Sequence, residues 1–410
     1  MLMANRVLLE AASKHSNVVV SPLSFKALLG FLALGSTGST RQQLIQFLGT
    51  RSGSADDLSF LCKKIASATA PFPEPHSAAA TFPGQSCFSP FSSEGPPAAL
   101  CFSNAVWLHE DFSFKSSFES IIKHVFGAES RVVNHGEQVQ EILEQINSWA
   151  ASVSNGLITE IIPQNPPSMK PVLVLASALY FKGKWAKKFD TFSTQYKNFY
   201  LINGGTTRIP FMTRQKKVHL FRQLDDFKVV ALAYQNVGSD NREFFMYIFL
   251  PNNNNGLPNL IQKLNENPAL LTENLLLQEV ELSELLVPKF KFSFDFEASR
   301  TMKKMELTLP FNMSNQDFND MVVSHNGYGP RLSKMFHKAC IEVDEEGVAE
   351  VGGFTAFPAT NKTCSFQFTG FPPQHATASF VADHPFFFMI KEESSKLVFF
   401  SGAVFDPVVS

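Results

Sequence analysis

In the first half of the chain, apolar residues recur every three to four positions, the spacing of one face of an α-helix. One such stretch follows Ser21-Pro22, which reads as a helix N-cap and a first-turn proline. A second covers residues 135–153 and ends before Asn155-Gly156. Because the apolar run at 18–20 comes directly before the first stretch, we expect a strand that leads into a buried helix.

The second half of the chain favours strands. Residues 171–181 read PVLVLASALYF, an almost wholly apolar run typical of a central strand. Residues 290–296 alternate phenylalanine with Lys291, Ser293 and Asp295, which predicts one phenylalanine face and one polar face. Further strands are predicted in the segments 244–250, 386–390 and 397–404. Helices early and strands late favour an α+β architecture over a regular βαβ alternation.

Two segments lack any period. Residues 71–97 hold seven of the 24 prolines and read as an inserted loop. Residues 347–379 carry glycines and prolines but no convincing element, and they join two strong strands. The first of these, at 331–346, is predicted to be a helix end followed by a strand. A structureless stretch of this length is usually a functional loop, and exposed loops are the sites that proteases cut.

Composition limits the function classes. The chain has 410 residues, of which 44% are hydrophobic and 18% charged, so it can bury a core of one or two domains. The sequence on both sides of residues 71–97 behaves as one framework, which favours a single domain. A net charge of −2 gives no electrostatic footprint for nucleic acid or an anionic membrane. No run of apolar residues is long enough for a membrane span.

The N-terminus and the cysteines predict the compartment. The opening MLMANRVLLEAASK has no unbroken apolar stretch of the kind that a secretory signal needs. The 5 cysteines are odd in number and widely spaced, which favours free thiols over a disulfide framework or a zinc site. We therefore expect a cytoplasmic or nuclear protein, with export by an unconventional route as the alternative.

Candidate chemistry is sparse. None of the common catalytic or nucleotide-binding motifs is present. His384 beside Asp383 reads as a structural contact rather than as part of a catalytic triad. The carboxylates Asp344, Glu345 and Glu346 read as a solvated strand end rather than as a metal or acid–base site. The sequence predicts no enzyme, no cofactor and no metal.

A set of ordered motifs changes this picture. They include NVVVSPLSF at 17–25, INSWAASVSNGLITEIIP at 146–163, LVLASALYFKGKW at 173–185, HKACIEVDEEG at 337–347 and FVADHPFFFMI at 380–390. With these motifs the chain resembles the serpins, and the plant serpins in particular. The resemblance implies one α+β domain over residues 1–410, with three β-sheets, about nine helices and an exposed reactive-centre loop at 347–379.

The resemblance also implies a mechanism. A target protease attacks the loop and forms an acyl-enzyme, and the cleaved loop then inserts as a new strand into the central sheet, which traps the protease. The implied partner is a serine or cysteine protease, and the implied state is a monomer that needs neither cofactor nor nucleic acid. The inhibitor itself supplies no catalytic residue.

Several residues match the family's sheet-opening machinery. Ser21 and Ser24 match its shutter serines, His337 its shutter histidine and Trp185 its breach tryptophan. Ser177 stands where the family has an asparagine, so a hydroxyl replaces an amide that bonds on two sides. Ordinary buried polar groups are the alternative interpretation of these residues.

The hinge departs from the family pattern. Glu345-Glu346-Gly347 is intact, but the family's run of small residues is replaced by Val348-Ala349-Glu350-Val351 and by Gly352-Gly353-Phe354. With a period of two, Glu350 and Phe354 face inward on insertion. An unpaired buried carboxylate costs several kcal/mol, and Phe354 is large for its slot. Slow insertion lets a protease escape. The alternative is therefore a non-inhibitory serpin, which would be a binding, storage or chaperone-like protein or a simple protease substrate.

The reactive bond has two candidate positions. Counting from Glu345 by the family's spacing gives Asn361–Lys362, whereas counting back from Phe380 gives a bond near Thr369–Gly370. A trypsin-like protease would cut at Lys362–Thr363, since no other Lys or Arg lies between Gly347 and Phe380. Phe366 and Phe368 would suit chymotrypsin-like enzymes, and papain-like cysteine proteases stay an alternative.

Overall fold

The computed structural model describes residues 2–49, 54–69, 99–133, 139–153, 158, 160–162, 172–236, 242–272, 275–312, 317–325, 329–347 and 378–409. Nine α-helices lie within these ranges: α1 (Leu2–Lys14), α2 (Pro22–Gly35), α3 (Gly38–Phe47), α4 (Ala55–Thr69), α5 (Ser116–Phe126), α6 (Val139–Val153), α7 (Leu257–Glu266), α8 (Ala269–Thr272) and α9 (Ala298–Lys304). Single 3-10 turns form at Thr191–Ser193 and Leu309–Phe311.

The strands of the first half are β1 (Val18–Val20), β2 (Ala99–His109), β3 (Phe112–Phe114), β4 (Ala128–Val133), β5 (Leu173–Lys182), β6 (Gln195–Tyr200) and β7 (Thr206–Gln223). Those of the second half are β8 (Phe227–Ala233), β9 (Phe244–Pro251), β10 (Gln278–Pro288), β11 (Phe290–Glu297), β12 (Val322–Ser324), β13 (Leu332–Val343), β14 (Ser379–Val381), β15 (Phe386–Glu392) and β16 (Val398–Val404). Strands and helices are mixed as the α+β prediction requires.

The described strands form three sheets. Five strands in the order β11-β13-β5-β2-β4 make the first sheet, and β13 runs parallel to β5. A larger sheet follows the order β1-β16-β15-β9-β8-β7-β10-β14, with β6 paired to β7, and β12 pairs with β3 in the third. The predicted number of sheets and of helices is confirmed.

The helix that follows Ser21 is buried because both of its faces are apolar. Twelve of its residues are buried, from Pro22 to Gly35. Ser21 caps it by accepting a hydrogen bond from the backbone N–H of Ser24, and Pro22 occupies the first turn, as predicted. The strand β1 enters α2 directly and pairs with β16, so α2 lies in the main core beneath the five-stranded sheet.

One local prediction is wrong. Residues near 331 were expected to end a helix, but Leu332–Val343 is the continuous strand β13. The pairing with β5 shifts between Leu332 and Lys334, a β-bulge. The extra residue lets Leu332 and Met335 both point into the core, with 1% and 0% of their surfaces exposed. Two buried residues three positions apart are also what one face of an α-helix shows, which explains why the sequence predicted a helix end here.

Candidate functional site at the gap between β5 and β13

The parallel pairing of β5 with β13 covers only the first half of each strand. It runs from Leu332 opposite Leu173 to His337 opposite Ser177. Beyond this point β5 still pairs with β2 as far as Lys182, and β13 still pairs with β11 as far as Val343. Residues 178–182 and 338–343 therefore have no partner across from each other among the described strands. We call this the gap.

The gap is closed again at its far end. Gly347 forms an antiparallel bridge with Lys184, just beyond the end of β5. The backbone N–H of Trp185 donates to the carbonyl of Glu346 at 2.9 Å. The gap is thus bounded by the Ser177–His337 pair on one side and by the Gly347–Lys184 bridge on the other.

The two faces of the sheet are covered differently. The odd-numbered residues Leu175 and Leu179 of β5 join the main core with α2, together with Ala339 and Ile341 of β13. Even-numbered neighbours such as Ala176 belong to a separate cluster that packs under α6. A strand added in the gap would therefore place alternate side chains in the main core and the others on the opposite face, where Cys340 is exposed and Glu342 is half-buried.

His337 is tied to the start of α2. Its Nε2 accepts a hydrogen bond from the backbone N–H of Ser21 at 3.0 Å, and its ring packs 4.7 Å from that of Phe25. Burial lowers the pKa of His337 to about 3. The imidazole is therefore neutral at physiological pH, which leaves Nε2 free to accept this bond.

The side chains of Ser24 and Ser177, two further shutter residues, are buried without a hydrogen-bond partner among the described residues. The hydroxyl oxygens of Ser24 and Ser177 have no partner among the described residues, and both side chains are fully buried. Ser177 does not bridge the two strands. The structure brings Ser21, Ser177 and His337 together, and the roles of these residues in sheet opening stay a prediction.

Asn104 is a residue that sequence reasoning missed. It lies on β2 directly opposite Ser177, and its side chain is buried. Its amide nitrogen donates a long bond of 3.4 Å to the carbonyl of Phe126, and its Oδ1 has no partner among the described residues. The sequence did carry a signal for Asn104. It is an amide on an apolar strand, and it lies on the same face of that strand as the core residues Val106 and Leu108.

Trp185, the predicted breach tryptophan, lies beside the Gly347–Lys184 bridge at the far end of the gap. Its indole is 1% exposed and stacks on Tyr234 with ring centroids 4.7 Å apart. Its Nε1 donates to the carbonyl of Asp344 at 2.8 Å. The indole therefore fixes the end of β5 to the residues that follow β13.

The first hinge residues are held by specific contacts. Glu345 accepts a hydrogen bond from Thr194 at 2.6 Å and forms an ion pair with Lys289 at 2.7 Å. Burial alone would raise the pKa of Glu345, but these two partners outweigh it, so the pKa lies below its ordinary value. Glu346 pairs with Lys188 at the surface.

Gly347 occupies a position that tolerates no side chain. Its φ is 142°, and a Cβ would collide with the carbonyl oxygen of Gly183 and approach Lys184. Asp344 accepts hydrogen bonds from the backbone N–H groups of Glu346 and Gly347, which closes a tight turn. The carboxylates after β13 are therefore engaged in local structure.

Several residues singled out in the sequence lie outside the described residues. They are the hinge residues Val348, Ala349, Glu350 and Val351, the reactive-bond candidates Asn361, Lys362 and Thr363, and the 71–97 insertion.

The His384–Asp383 pair makes structural contacts. Nδ1 of His384 contacts Asp383 at 2.8 Å and Nε2 contacts the carbonyl oxygen of Pro251 at 2.8 Å, so both ring nitrogens have structural partners. Within the described ranges, no three His, Cys, Asp or Glu side chains are arranged to hold a metal ion. No helix there combines the length and apolarity of a membrane span.

A five-stranded sheet with room for another strand, packed over a buried helix and joined to a second large sheet, defines the serpin architecture. The family model described as "Serpin (serine protease inhibitor)" matches residues 3–407. The chain belongs to the serpin family, which supports a protease-inhibitor role and a protease partner in general terms.

Plant serpins are among its relatives. Serpin-ZX of Arabidopsis thaliana is 35% identical over 397 residues, which cover 97% of this chain and 93% of the relative. Serpin-Z7 of Hordeum vulgare is 36% identical over 409 residues, with coverages of 100% and 94%. The solved structure of Arabidopsis AtSerpin1 in its native stressed conformation superposes with a TM-score of 0.77 at 32% identity, covering 100% of this chain and 98% of that one.

Proposed function

We propose that this protein inhibits a serine or cysteine endopeptidase as a suicide substrate. The observation that carries the proposal is the gap between β5 and β13. Among the described strands, residues 178–182 and 338–343 are not paired with each other, and a new strand would pair both edges at once. The resulting hydrogen bonds and burial supply the free energy that drives insertion.

The chemistry belongs to the protease. Its serine hydroxyl or cysteine thiolate attacks the carbonyl carbon of the scissile bond, the amine of the following residue leaves with a proton, and an ester or thioester joins the two proteins. Insertion of the loop would then carry the attached protease along the sheet before water cleaves the acyl bond. Inhibition depends on insertion being faster than that hydrolysis.

The Gly347–Lys184 bridge defines the register of an inserting loop. Continuing antiparallel from this bridge, Glu350 would lie opposite residue 181 of β5 and opposite Ile341 of β13. Ile341 is 4% exposed and faces the main core. Because neighbours in register share a face, Glu350 would enter the same apolar environment, at a cost of several kcal/mol if it stays charged.

In the same register, Phe354 would reach the end of the gap that the Ser177–His337 pair closes. Residues up to Gly353 fit without breaking any existing β5–β13 pair, but Phe354 would lie between Ser177 and His337. Those two residues pair with each other, so they must separate before Phe354 can enter. We infer that insertion slows at this step.

A slow step supports a second candidate function. If the acyl bond hydrolyses before Ser177 and His337 separate, the protein is cut as a substrate and releases active protease. The position of Phe354 in this register therefore favours a serpin that partitions strongly toward cleavage, or one that does not inhibit.

Incubation with trypsin, chymotrypsin and papain separates the two candidates. An inhibitor forms a complex that resists SDS and migrates near the summed masses, and residual protease activity falls in proportion. The melting temperature of the cleaved protein adds a physical readout, because full insertion raises it strongly whereas a cut loop that stays outside leaves it unchanged. Quantitative cleavage with full protease activity and no covalent complex would overturn the inhibitory proposal.

A further inference from the structure

An open cavity lies in the larger sheet, where the hairpin of β6 and β7 meets β10 and the residues after β14. Its volume is about 450 Å³, within the roughly 300–1,000 Å³ typical of ligand sites. Phe211 and Leu286 are the buried part of its lining. The exposed and half-buried residues that border it are mostly polar or aromatic: Tyr196, Lys197, Asn198, Tyr200, Arg208, Glu284, Val381 and Asp383.

Two contacts hold β6 in place beside this cavity. Nζ of Lys197 lies 3.1 Å from a carboxylate oxygen of Glu284 on β10. The backbone N–H of Tyr200 donates to the carbonyl oxygen of Asp383 at 2.7 Å. The border of the cavity is therefore fixed by the fold from both sides.

One face of the hairpin presents four exposed side chains to solvent. Tyr196, Asn198 and Tyr200 alternate along β6 with Phe199, which is buried. Arg208 of β7 lies opposite Asn198 in register, so its side chain is on the same face. We call these four residues the tyrosine face. Among the described residues, none of their side chains has a hydrogen-bond or ion-pair partner.

The charges around the cavity balance. Lys197 and Arg208 are cations, whereas Glu284 and Asp383 are acids, and Lys197 is already paired with Glu284. Neither a strongly anionic nor a strongly cationic ligand is favoured by such a set. The amide of Asn198 and the guanidinium of Arg208 do supply hydrogen-bond donors and an acceptor, which suits a neutral ligand rich in hydroxyl groups.

The two tyrosines add flat apolar surfaces on either side of these polar groups. Their exposed fractions are 63% for Tyr196 and 40% for Tyr200. Four residues along a strand separate them by about 13 Å. A tyrosine has an apolar ring and a polar tip, so it packs against an apolar surface while its hydroxyl bonds to water or ligand. A ligand that contacts both rings must be extended and must alternate apolar faces with hydroxyl-bearing edges.

We propose that the tyrosine face binds an extended, neutral, β-1,4-linked oligosaccharide. Equatorial linkages keep such a chain straight, and each sugar ring has C–H groups on its faces and hydroxyl groups at its edge. The outer sugars stack on Tyr196 and Tyr200, and the hydroxyls between them bond to Asn198 and Arg208. Because the gap lies in the other large sheet, this site is independent of protease inhibition.

The test is isothermal titration calorimetry of the full chain with four oligosaccharide probes. Cellohexaose and chitohexaose are extended and neutral, maltohexaose is neutral but curved by its α-1,4 linkages, and the hexamer of galacturonic acid is anionic. We expect saturable binding of at least one of the first two, and weaker binding of the curved and anionic probes. No saturable binding of either β-1,4-linked neutral probe overturns the proposal. Binding of maltohexaose or of the galacturonate hexamer that is equally tight overturns it as well.

Variants locate the site. Tyr196→Ala and Tyr200→Ala should each weaken binding by up to about tenfold, the upper range for loss of one aromatic stacking contact. Tyr196→Phe keeps the ring and should bind nearly as the wild type does. Phe192→Ala is the matched control, because Phe192 is an aromatic residue with 98% exposure that does not line the cavity.

All of these aromatic side chains are exposed, so the denaturation midpoints should stay close to that of the wild type. Unchanged affinity in both Tyr196→Ala and Tyr200→Ala contradicts the proposed site. An equal loss of affinity in Phe192→Ala contradicts it too, since it would indicate general adhesion of the sugar to exposed aromatic rings.

Discussion

Ser177 of β5 and His337 of β13 face each other in register and form the last pair before the two strands separate. His337 bonds to the backbone of Ser21, whereas the hydroxyl of Ser177 has no partner among the described residues. The two strands are therefore joined here by backbone pairing and packing, and the side-chain bond runs from β13 down to α2. Sheet opening at this point does not require a side-chain bond between the two strands to break.

The two shutter serines should respond oppositely to truncation. Ser21→Ala removes the hydroxyl that caps α2, and such losses cost about 1 kcal/mol of unfolding free energy. Ser24→Ala removes a buried hydroxyl without a partner among the described residues, so stability should stay unchanged or rise slightly. Denaturant midpoints of the two variants measure the difference.

Ser24→Ala is thus the matched control for Ser21→Ala, since both lie in the first turn of the same helix and lose the same atom. Equal destabilisation by the two variants would show that Ser24 has a partner that the hydrogen-bond pattern does not reveal.

Stability should fall as the pH drops below about 6.5. Burial lowers the pKa of His337 to about 3 and that of His219 to about 4, both from an ordinary value of 6.5. Because the unfolded chain binds these protons first, the stabilisation is fully present above 6.5 and is lost progressively toward the folded-state values. At pH 5, each of the two histidines should therefore lower the free energy of unfolding by about 2 kcal/mol relative to its value above pH 6.5.

Denaturation curves between pH 7 and pH 5 check this dependence. His219→Gln should remove roughly half of the slope, whereas His124→Gln, at an exposed position of α5, should leave it intact. A slope that His219→Gln does not change would contradict the assignment of His219 as buried and neutral.

Much of this fold was predictable because strong local signals agree with the tertiary structure. The Ser21-Pro22 start of α2 and the alternating phenylalanines of β11 are examples, since Phe290 and Phe292 are buried while Lys291 is exposed. The β-bulge after Leu332 was not predictable, because it imitates a helical face. The gap itself has no local signal either, since it depends on where pairing between distant strands stops. The same reason hid Asn104, whose neighbour Ser177 is far away in sequence.

Gly347→Ala should destabilise the far end of the gap. The substitution forces a side chain against Gly183 at a φ that L-residues rarely adopt, and such strain costs about 1–3 kcal/mol. We expect a lower denaturation midpoint and faster limited proteolysis after β13. Gly127→Ala is the control, because its φ is 59° but no atom lies within 4 Å of a Cβ, so only about 1–2 kcal/mol of backbone strain is expected. A smaller loss at Gly347 than at Gly127 would contradict the close approach to Gly183.

Glu350→Ala and Phe354→Ala should each shift the protein from substrate toward inhibitor. The first removes a carboxylate that would face Ile341 in the main core, and the second removes the ring that must pass between Ser177 and His337. The measurement is the number of serpin molecules consumed for each protease molecule trapped, and it should fall in both variants. The two positions are four residues apart, so the free-energy effects on insertion should add within about 0.5 kcal/mol. The matched control is the double variant Ala349→Glu with Glu350→Ala, which keeps the composition and charge but moves the carboxylate to the opposite face of the inserted strand, opposite the half-buried Glu342. This double variant should inhibit as well as Glu350→Ala alone. If it partitions like the wild type, the charge of the hinge rather than its facing controls insertion, and the register drawn from the Gly347–Lys184 bridge is wrong.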